Sequence, residues 1–437
     1  MVKYETGGDV MKKALVLAGG GTRGAYQAGA IRACLEMGRD DWDLVTGTSV
    51  GALNAALVVQ GDIPTMIDMY DNLKMDQIIN GSNPMNFNLN TLMKDKEMQE
   101  TFRQYIRDKG LDITPFLNYV HELYNPEKFF ASRMDFGCIA ATRKGHEGVY
   151  VTKEMMKEHG EDWLVASASA YPAFPVKVID GKEYIDGGYF DNCPIDYALR
   201  MGADEVLVLD MNHDPNHPHM IRRSNIHYVY PKSSTGDFLD FSHEKILHLY
   251  KLGANDVRKI YGVYMGQKYT LQPYGMPRFF PKWYIEMEKL ETKIKLASNI
   301  NDRFRSEQFI TDRLKEITRL PYLTDRDYFE AMLDQCLDLA EADEEKVYTL
   351  EEARNLIFAA FADCVNENYV SRKASLLDKA RFVGGMDQKG VISHMIHAAF
   401  HPEHVFFNEN TILTLYPFEQ SIADFIVMWM KEFSYGI

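Results

Sequence analysis

From Leu44 to Leu57 the chain reads Leu-Val-Thr-Gly-Thr-Ser-Val-Gly-Ala-Leu-Asn-Ala-Ala-Leu. Apolar, partly β-branched residues lead into Gly47-Thr48-Ser49-Val50-Gly51, and an Ala-rich run of helix formers follows. Strand, tight turn and helix in that order are the setting in which G-x-S-x-G acts as a nucleophile elbow. The flanking glycines let the turn close with the serine strained and its hydroxyl pushed forward at the start of the helix. Free N–H groups and the positive end of the helix dipole favour negative charge there. A five-residue match alone is modest, so neighbouring features have to carry the weight.

A second unit of the same kind precedes it. Ala14-Leu-Val-Leu-Ala18 is a short apolar run, as expected of a strand buried on both faces. It ends in Gly19-Gly-Gly-Thr-Arg-Gly24, and Ala25 to Leu35 reads as a helix stopped near Gly38. A G-x-G-x-x-G between strand and helix suits a pyrophosphate at the helix N-terminus. It suits an oxyanion hole equally, since both need exposed backbone donors. The acidic ribose partner of a dinucleotide site would fall near Asp40 to Asp43, ahead of Leu44 and Val45, the wrong end of a strand. Two consecutive β–loop–α units imply parallel strands with right-handed crossovers. Their loops then share the carboxyl end of the sheet, which sets the glycine loop beside Ser49.

The rest of the chain continues the pattern. Residues 63–135 read as an irregular helical insertion rich in methionine (Met66, Met69, Met75, Met85, Met93, Met98), with a loop at Asn80-Gly-Ser-Asn-Pro84. Phe136 to Ala141 and Gly148 to Thr152 read as strands joined by a polar turn, and Asp162 to Tyr171 as a small-residue helix broken by Pro172 and Pro175. Val176 to Ile185 forms a hairpin about Asp180-Gly181 and delivers Asp186-Gly-Gly188 directly after a strand. A helix follows Asn192-Cys-Pro194, and Glu205 to Asp210 and Ile226 to Val229 are further strands. The expected class is α/β, a mostly parallel central sheet with helices on both faces. After Gly262 helical periodicity takes over, with charge-rich stretches at Glu286 to Ile294 and Asp338 to Glu345. The last helix sets Phe418, Ile422, Phe425, Ile426 and Trp429 on one face, expected to pack rather than meet a membrane. Two parts are therefore expected, 12–262 and 263–437.

Of the 437 residues, 46% are hydrophobic and 25% charged, enough for a sizeable core. The net charge of −15 argues against nucleic-acid binding and against docking on anionic bilayers. Five dispersed cysteines without a C-x-x-C pair read as buried thiols in a reducing compartment. The first ten residues lack the apolar core of a signal peptide, and no uncharged segment has the length of a membrane span. We read a cytoplasmic protein. His213, His217 and His219 share a Pro-bearing loop with no framing carboxylate helix, so a solvated loop is preferred over a metal site.

Ester hydrolysis through an acyl-enzyme needs a nucleophile, a base and donors for the oxyanion. Ser49 and the glycine loop supply the first and the last, and the base is open. His401 and His404 stand late enough for the α/β-hydrolase order but follow no evident strand. Asp186 could take the serine proton itself if burial raised its pKa.

Gly19-Gly-Gly-Thr-Arg-Gly24, Gly47-Thr-Ser-Val-Gly51 and Asp186-Gly-Gly188 resemble, in order, the three signature blocks of the patatin-like phospholipase family. Ala166-Ser-Ala-Ser-Ala-Tyr-Pro172 and Tyr184 to Pro194 look like softer blocks of the same family. The resemblance spans about Lys12 to Gly262 and is most like bacterial cytoplasmic members. It implies Ser49 as nucleophile and Asp186 as general base, with the backbone of Gly20, Gly21 and Thr22, and Arg23 nearby, as the oxyanion hole. It also implies hydrolysis of lipid acyl esters, such as phospholipids and lysophospholipids, without metal or organic cofactor. The partner is then a lipid substrate met in transient, peripheral contact with a membrane surface.

Overall fold

The structure, a computed structural model, describes residues 11–80, 111–297, 309–366, 387–405 and 407–434. Met85, Met93, Met98 and most of the loop expected at 80–84 lie outside them. The chain divides into two compact units, Met1–Gly262 and Val263–Ile437.

The first unit runs β1 (Lys13–Leu17), α1 (Gly24–Glu36), β2 (Leu44–Thr48), α2 (Val50–Val59), α3 (Ile63–Asn72), α4 (Thr114–Leu123) and α5 (Pro126–Ala131). It continues β3 (Asp135–Thr142), β4 (Gly148–Thr152), α6 (Met156–Ser167), β5 (Lys177–Ile179), β6 (Lys182–Asp186), α7 (Ile195–Arg200), β7 (Glu205–Leu209), β8 (Ile226–Val229) and α8 (His243–Ile260). The sheet order is β5-β6-β3-β2-β1-β7-β8, with β4 also paired to β3. The five strands from β3 to β8 along that path are parallel, and β4, β5 and β6 are antiparallel to their partners.

Apolar runs without alternation predict strands covered on both faces, and Ala14, Leu15, Val16 and Leu17 are all at or near zero exposure. Leu15, Leu17, Val45, Leu207 and Leu209 join the core that contains α1, α2 and α8 residues such as Ile31, Leu57 and Leu249. Their neighbours Val16, Leu44, Val206 and Val208 are buried on the opposite face, where Ile195 and Ala198 of α7 are also buried. The architecture is thus the α/β class expected. The hairpin turn at Asp180-Gly181 has positive φ at both residues, as a tight two-residue connection requires.

The register around β3 positions the site. On one side β3 pairs with β4 through residues 137–141, so β2 and β6 must share the other. β2 occupies it as far as the pair Thr48 with Ile139, and β6 takes over at the pair Asp186 with Ala140. The residue after Thr48 is Ser49. Two strands abutting on one edge of β3 therefore bring Ser49 and Asp186 together, although 137 positions separate them in the chain.

The second unit is mainly helical about one core. Its helices Asp325–Leu339 and Leu350–Ala360 open on capping boxes, Thr324 with Asp327 and Thr349 with Glu352. The last helix, Pro417–Ser434, buries Phe418, Ile422, Phe425, Ile426 and Trp429, the face expected to pack. Phe425 meets Phe279 edge-on at 5.0 Å, and Trp283 Nε1 donates to the Ser421 carbonyl at 2.9 Å. Two features differ from expectation. Thr270–Leu271 and Val347–Tyr348 form a two-stranded parallel ribbon, too short to leave any periodicity in sequence. The stretch 338–345 leaves its helix after Leu339, with Glu341 left-handed at φ +56° and Asp338 bonded by Lys268 and Tyr269.

Candidate active site

Ser49 sits between β2 and α2 at φ +56°, ψ −129°, a conformation costly for a residue with a side chain. Close packing of the turn holds it there. A Cβ on Gly51 would fall 2.3 Å from the Leu17 carbonyl oxygen, so only glycine lets α2 start against the end of β1. The Ser49 N–H donates to Ser167 Oγ at 2.9 Å, and Ser167 Oγ donates to the Ile139 carbonyl at 2.6 Å. Ser167 belongs to one of the softer blocks quoted above, but nothing local in that small-residue run marks it as the partner of an amide 118 positions away.

Ser49 Oγ donates to Asp186 Oδ2 at 2.7 Å, and the other carboxylate oxygen accepts the Gly188 N–H at 2.7 Å. Asp186 is 7% exposed. Burial pushes its carboxyl up to about 6, opposed by the hydrogen bonds from Ser49 and Gly188. No histidine among the described residues bonds either group. His401 and His404 belong to the second unit, where His404 Nδ1 lies 3.0 Å from His397 Nε2 and His401 Nε2 lies 2.9 Å from the Val365 carbonyl.

The glycine loop leaves β1 beside this pair. Gly19 N–H donates to the Asn192 carbonyl, and Asn192 Nδ2 returns a bond to the Gly19 carbonyl. Gly20 and Gly21 N–H groups donate to no described atom, and both residues line a cavity with Ser49 and Asp186. Thr22 and Arg23 depart from expectation. The Thr22 N–H and Oγ1 both donate to the Phe238 carbonyl, at 2.9 and 3.1 Å, so neither is available to an oxyanion. Arg23 Nε donates to the Gly20 carbonyl at 3.1 Å and Nη1 to Asn212 Oδ1 at 3.0 Å, which makes Arg23 a brace behind the loop. Burial lowers its guanidinium pKa, opposed by Asp210 and Asp237. Asn192 and the segment 235–241 were not foreseen as site elements. Apart from the Asn192 side-chain amide, their tie to the loop is through backbone carbonyls, which carry no residue signature.

The cavity holds about 250 Å³, and its walls are apolar, among them Leu53, Met69, Leu73, Phe116, Phe174 and Phe241. Met69, Leu73 and Phe116 come from the helical insertion, so three of its residues shape the space beside the serine. A serine hydroxyl bonded to a buried carboxylate, two glycine amides and an apolar chamber together suit acyl transfer from an ester with a hydrocarbon chain.

The dinucleotide alternative loses its acidic partner. Asp41 pairs with Lys13 Nζ at 2.5 Å and Asp43 Oδ2 accepts the Lys13 N–H, at the end of β1 opposite the glycine loop. Of the loop histidines, His217 Nε2 bonds the Cys193 carbonyl at 3.0 Å and lies 3.6 Å from Asp191. Among the described residues no group of three His, Cys, Asp or Glu is arranged to hold a metal ion, and no helix is long and apolar enough to cross a membrane.

Comparison with known proteins bears on the same region. Residues 15–199 match the family model for patatin-like phospholipase. The chain is similar to the cUMP-AMP-activated phospholipase of Escherichia coli, 28% identical over 246 residues, which cover 53% of this chain and 69% of that protein. It is similar to patatin-like phospholipase domain-containing protein 7 of Rattus norvegicus, 27% identical over 204 residues, 45% of this chain and 13% of the rat protein. The match thus spans about an eighth of the rat protein's length. Among solved structures, VipD from Legionella pneumophila aligns over 96% of this chain and 90% of its own, at 14% identity and a TM-score of 0.36.

Proposed function

We propose that the chain, whose residues 15–199 match the patatin-like phospholipase family model, is a serine hydrolase of lipid acyl esters working through a Ser–Asp dyad. The observation that carries the reading is the 2.7 Å bond from Ser49 Oγ to a buried carboxylate at the mouth of an apolar cavity. Two glycine amides at the same cavity that donate to no described atom support it. Phospholipid and lysophospholipid esters fit the chemistry, the acyl chain lying in the cavity and the head group outside.

In this mechanism Asp186 accepts the Ser49 proton as Oγ attacks the ester carbonyl carbon. The carbonyl π electrons move to oxygen, and the Gly20 and Gly21 N–H groups stabilise the oxyanion. Collapse re-forms the carbonyl and expels the alcohol, which takes the proton back from Asp186. Water then attacks the acyl-enzyme with Asp186 again as base, and Ser49 is regenerated as the fatty acid leaves. A carboxylate at its usual pKa of about 3.9 is a feeble base near neutrality. One lifted to about 6 by burial is ionised at neutral pH and closer in basicity to the task. The hydrolytic work is assigned to the unit ending at Gly262, with no role assigned to 263–437. The net charge of −15 favours zwitterionic or neutral lipids over anionic surfaces, and peripheral contact from the cytoplasm is the corresponding setting.

The test is a pH–rate profile with a short-chain nitrophenyl ester. Because the base must be unprotonated, kcat/KM is expected to rise with pH, reach half its plateau near 6, and at pH 5 stand about tenfold below the plateau. A profile that falls as pH rises through this range, or absence of turnover, counts against the assignment. Gly21→Ala probes the donors. Gly21 lies at φ +59°, and a Cβ there would fall 2.2 Å from the Phe238 carbonyl oxygen. Displacing the loop is expected to lower kcat by about 10²–10³-fold, the usual effect of losing an oxyanion donor, with circular dichroism unchanged.

A further inference from the structure

We propose that Gln27, Asn54 and Tyr70 are positioning residues, a buried polar relay that holds the glycine loop in register and fastens it to the wall of the acyl cavity. The catalytic part of this proposal rests on the Ser49 hydrolase reading; the structural part does not.

All three side chains are buried, at 0%, 0% and 1% exposure, within a largely apolar core. Gln27 lies on α1, Asn54 on α2 and Tyr70 on α3. Gln27 Nε2 donates to the Ala18 carbonyl at 2.8 Å and to the Leu209 carbonyl at 3.1 Å. Asn54 Nδ2 donates to Gln27 Oε1 at 2.9 Å, and Tyr70 Oη donates to Asn54 Oδ1 at 3.1 Å. The direction is forced from one end. Backbone carbonyls only accept, so Gln27 must turn its amide nitrogen to them and its oxygen to Asn54. Asn54 must then offer nitrogen to Gln27, which leaves its oxygen for the tyrosine hydroxyl. Flipping either amide would face like groups and strand buried donors.

The relay ends where the glycine loop begins. Ala18 and Gly19 share one peptide plane, with its carbonyl held by Gln27 and its N–H held by the Asn192 carbonyl. The next two peptides carry the N–H groups of Gly20 and Gly21. Their carbonyls are gripped by Asn192 and Arg23 while their N–H groups donate to no described atom. A loop rich in glycine has little stiffness of its own, so its donors keep their direction only if the first plane is fixed. At the other end the Tyr70 ring lines the cavity. Wall and loop root are thereby one hydrogen-bonded unit, which is how distant side chains preserve a donor geometry that tolerates little displacement.

Two variants that keep side-chain volume test this: Tyr70→Phe, which deletes a hydroxyl, and Gln27→Met, which deletes both donors to the strand ends. Two readouts are taken, kinetics per active site titrated with an alkyl fluorophosphonate, and amide resonances of glycine-labelled protein. Expected for Gln27→Met is a fall in kcat of about 10²-fold with KM for a short-chain ester within about twofold. Tyr70→Phe, one bond further away, is expected to lose about tenfold by the same measure. The half-plateau of the pH profile should stay near 6, because the relay does not touch Asp186. Gly20 and Gly21 resonances should shift in both variants while those of Gly187 and Gly188 stay in place. Unchanged kcat per titrated site together with unmoved Gly20 and Gly21 resonances would overturn the relay. If the resonances move but wild-type protein neither turns over ester nor reacts with fluorophosphonate, the relay stands and the hydrolase reading falls.

Discussion

Ser49→Ala is expected to lower kcat for a short-chain ester by about 10⁴–10⁶-fold while the protein keeps its fold, because the reacting atom is gone and the donors and cavity remain. The residual rate belongs to the oxyanion donors acting on water. The substitution also has an electrostatic consequence. Asp186 loses the bond from Ser49 Oγ, one of the two that oppose the effect of burial on its carboxyl, so its pKa rises further and it becomes protonated nearer neutral pH. The variant should therefore show no half-plateau near 6 in any remaining hydrolysis. Circular dichroism and thermal unfolding within about 1 kcal/mol of wild type would show that the loss is chemical and not structural. Turnover close to wild type would remove Ser49 from the mechanism.

Asp186→Asn is expected to separate activity from stability. An amide cannot take the serine proton, so kcat should fall by about 10⁴-fold, as in other serine hydrolases whose acidic member is neutralised. Stability should move the other way. The folded carboxyl titrates at about 6 against 3.8 when exposed, so folding favours the protonated form. Its contribution is fully present below about pH 4 and is lost as pH rises through about 6. At neutral pH the native protein carries a destabilising charge worth up to about 3 kcal/mol, from 1.36 kcal/mol per pKa unit. The neutral amide escapes that cost. Urea midpoints should be higher for the variant than for wild type at pH 7.5, and the difference should vanish near pH 4. A variant equally or less stable at both pH values would contradict the assigned burial of the charge.

The glycine-bearing turns explain how much of this was visible in the chain. Strand, tight turn and helix leave strong local signals, so β1, β2, α1, α2 and the hairpin at Asp180-Gly181 stand near their expected bounds. Parallel strands with consecutive crossovers also place Gly19–Gly24 and Ser49 at one end of the sheet, and that inference needs no contact information. The meeting of Ser49 with Asp186 depends on β2 stopping and β6 beginning on one edge of β3, a pairing between distant segments that no periodicity encodes. The same holds for the supports. Ser167, Asn192 and the Phe238 carbonyl act on the elbow and the glycine loop from far along the chain, through one or two hydrogen bonds each. Thr22 and Arg23 illustrate the limit of motif reading. Both stand in the loop where a donor is expected, yet their polar groups are spent on the scaffold, which leaves Gly20 and Gly21.

The most direct test of Ser49 as the nucleophile is covalent. Wild-type protein treated with an alkyl fluorophosphonate should gain the mass of one adduct, carried by the peptide containing Ser49, more slowly at pH 5 than at pH 7.5. Ser49→Ala should gain none. An unmodified wild-type protein, or an adduct that persists in Ser49→Ala, would contradict the mechanism.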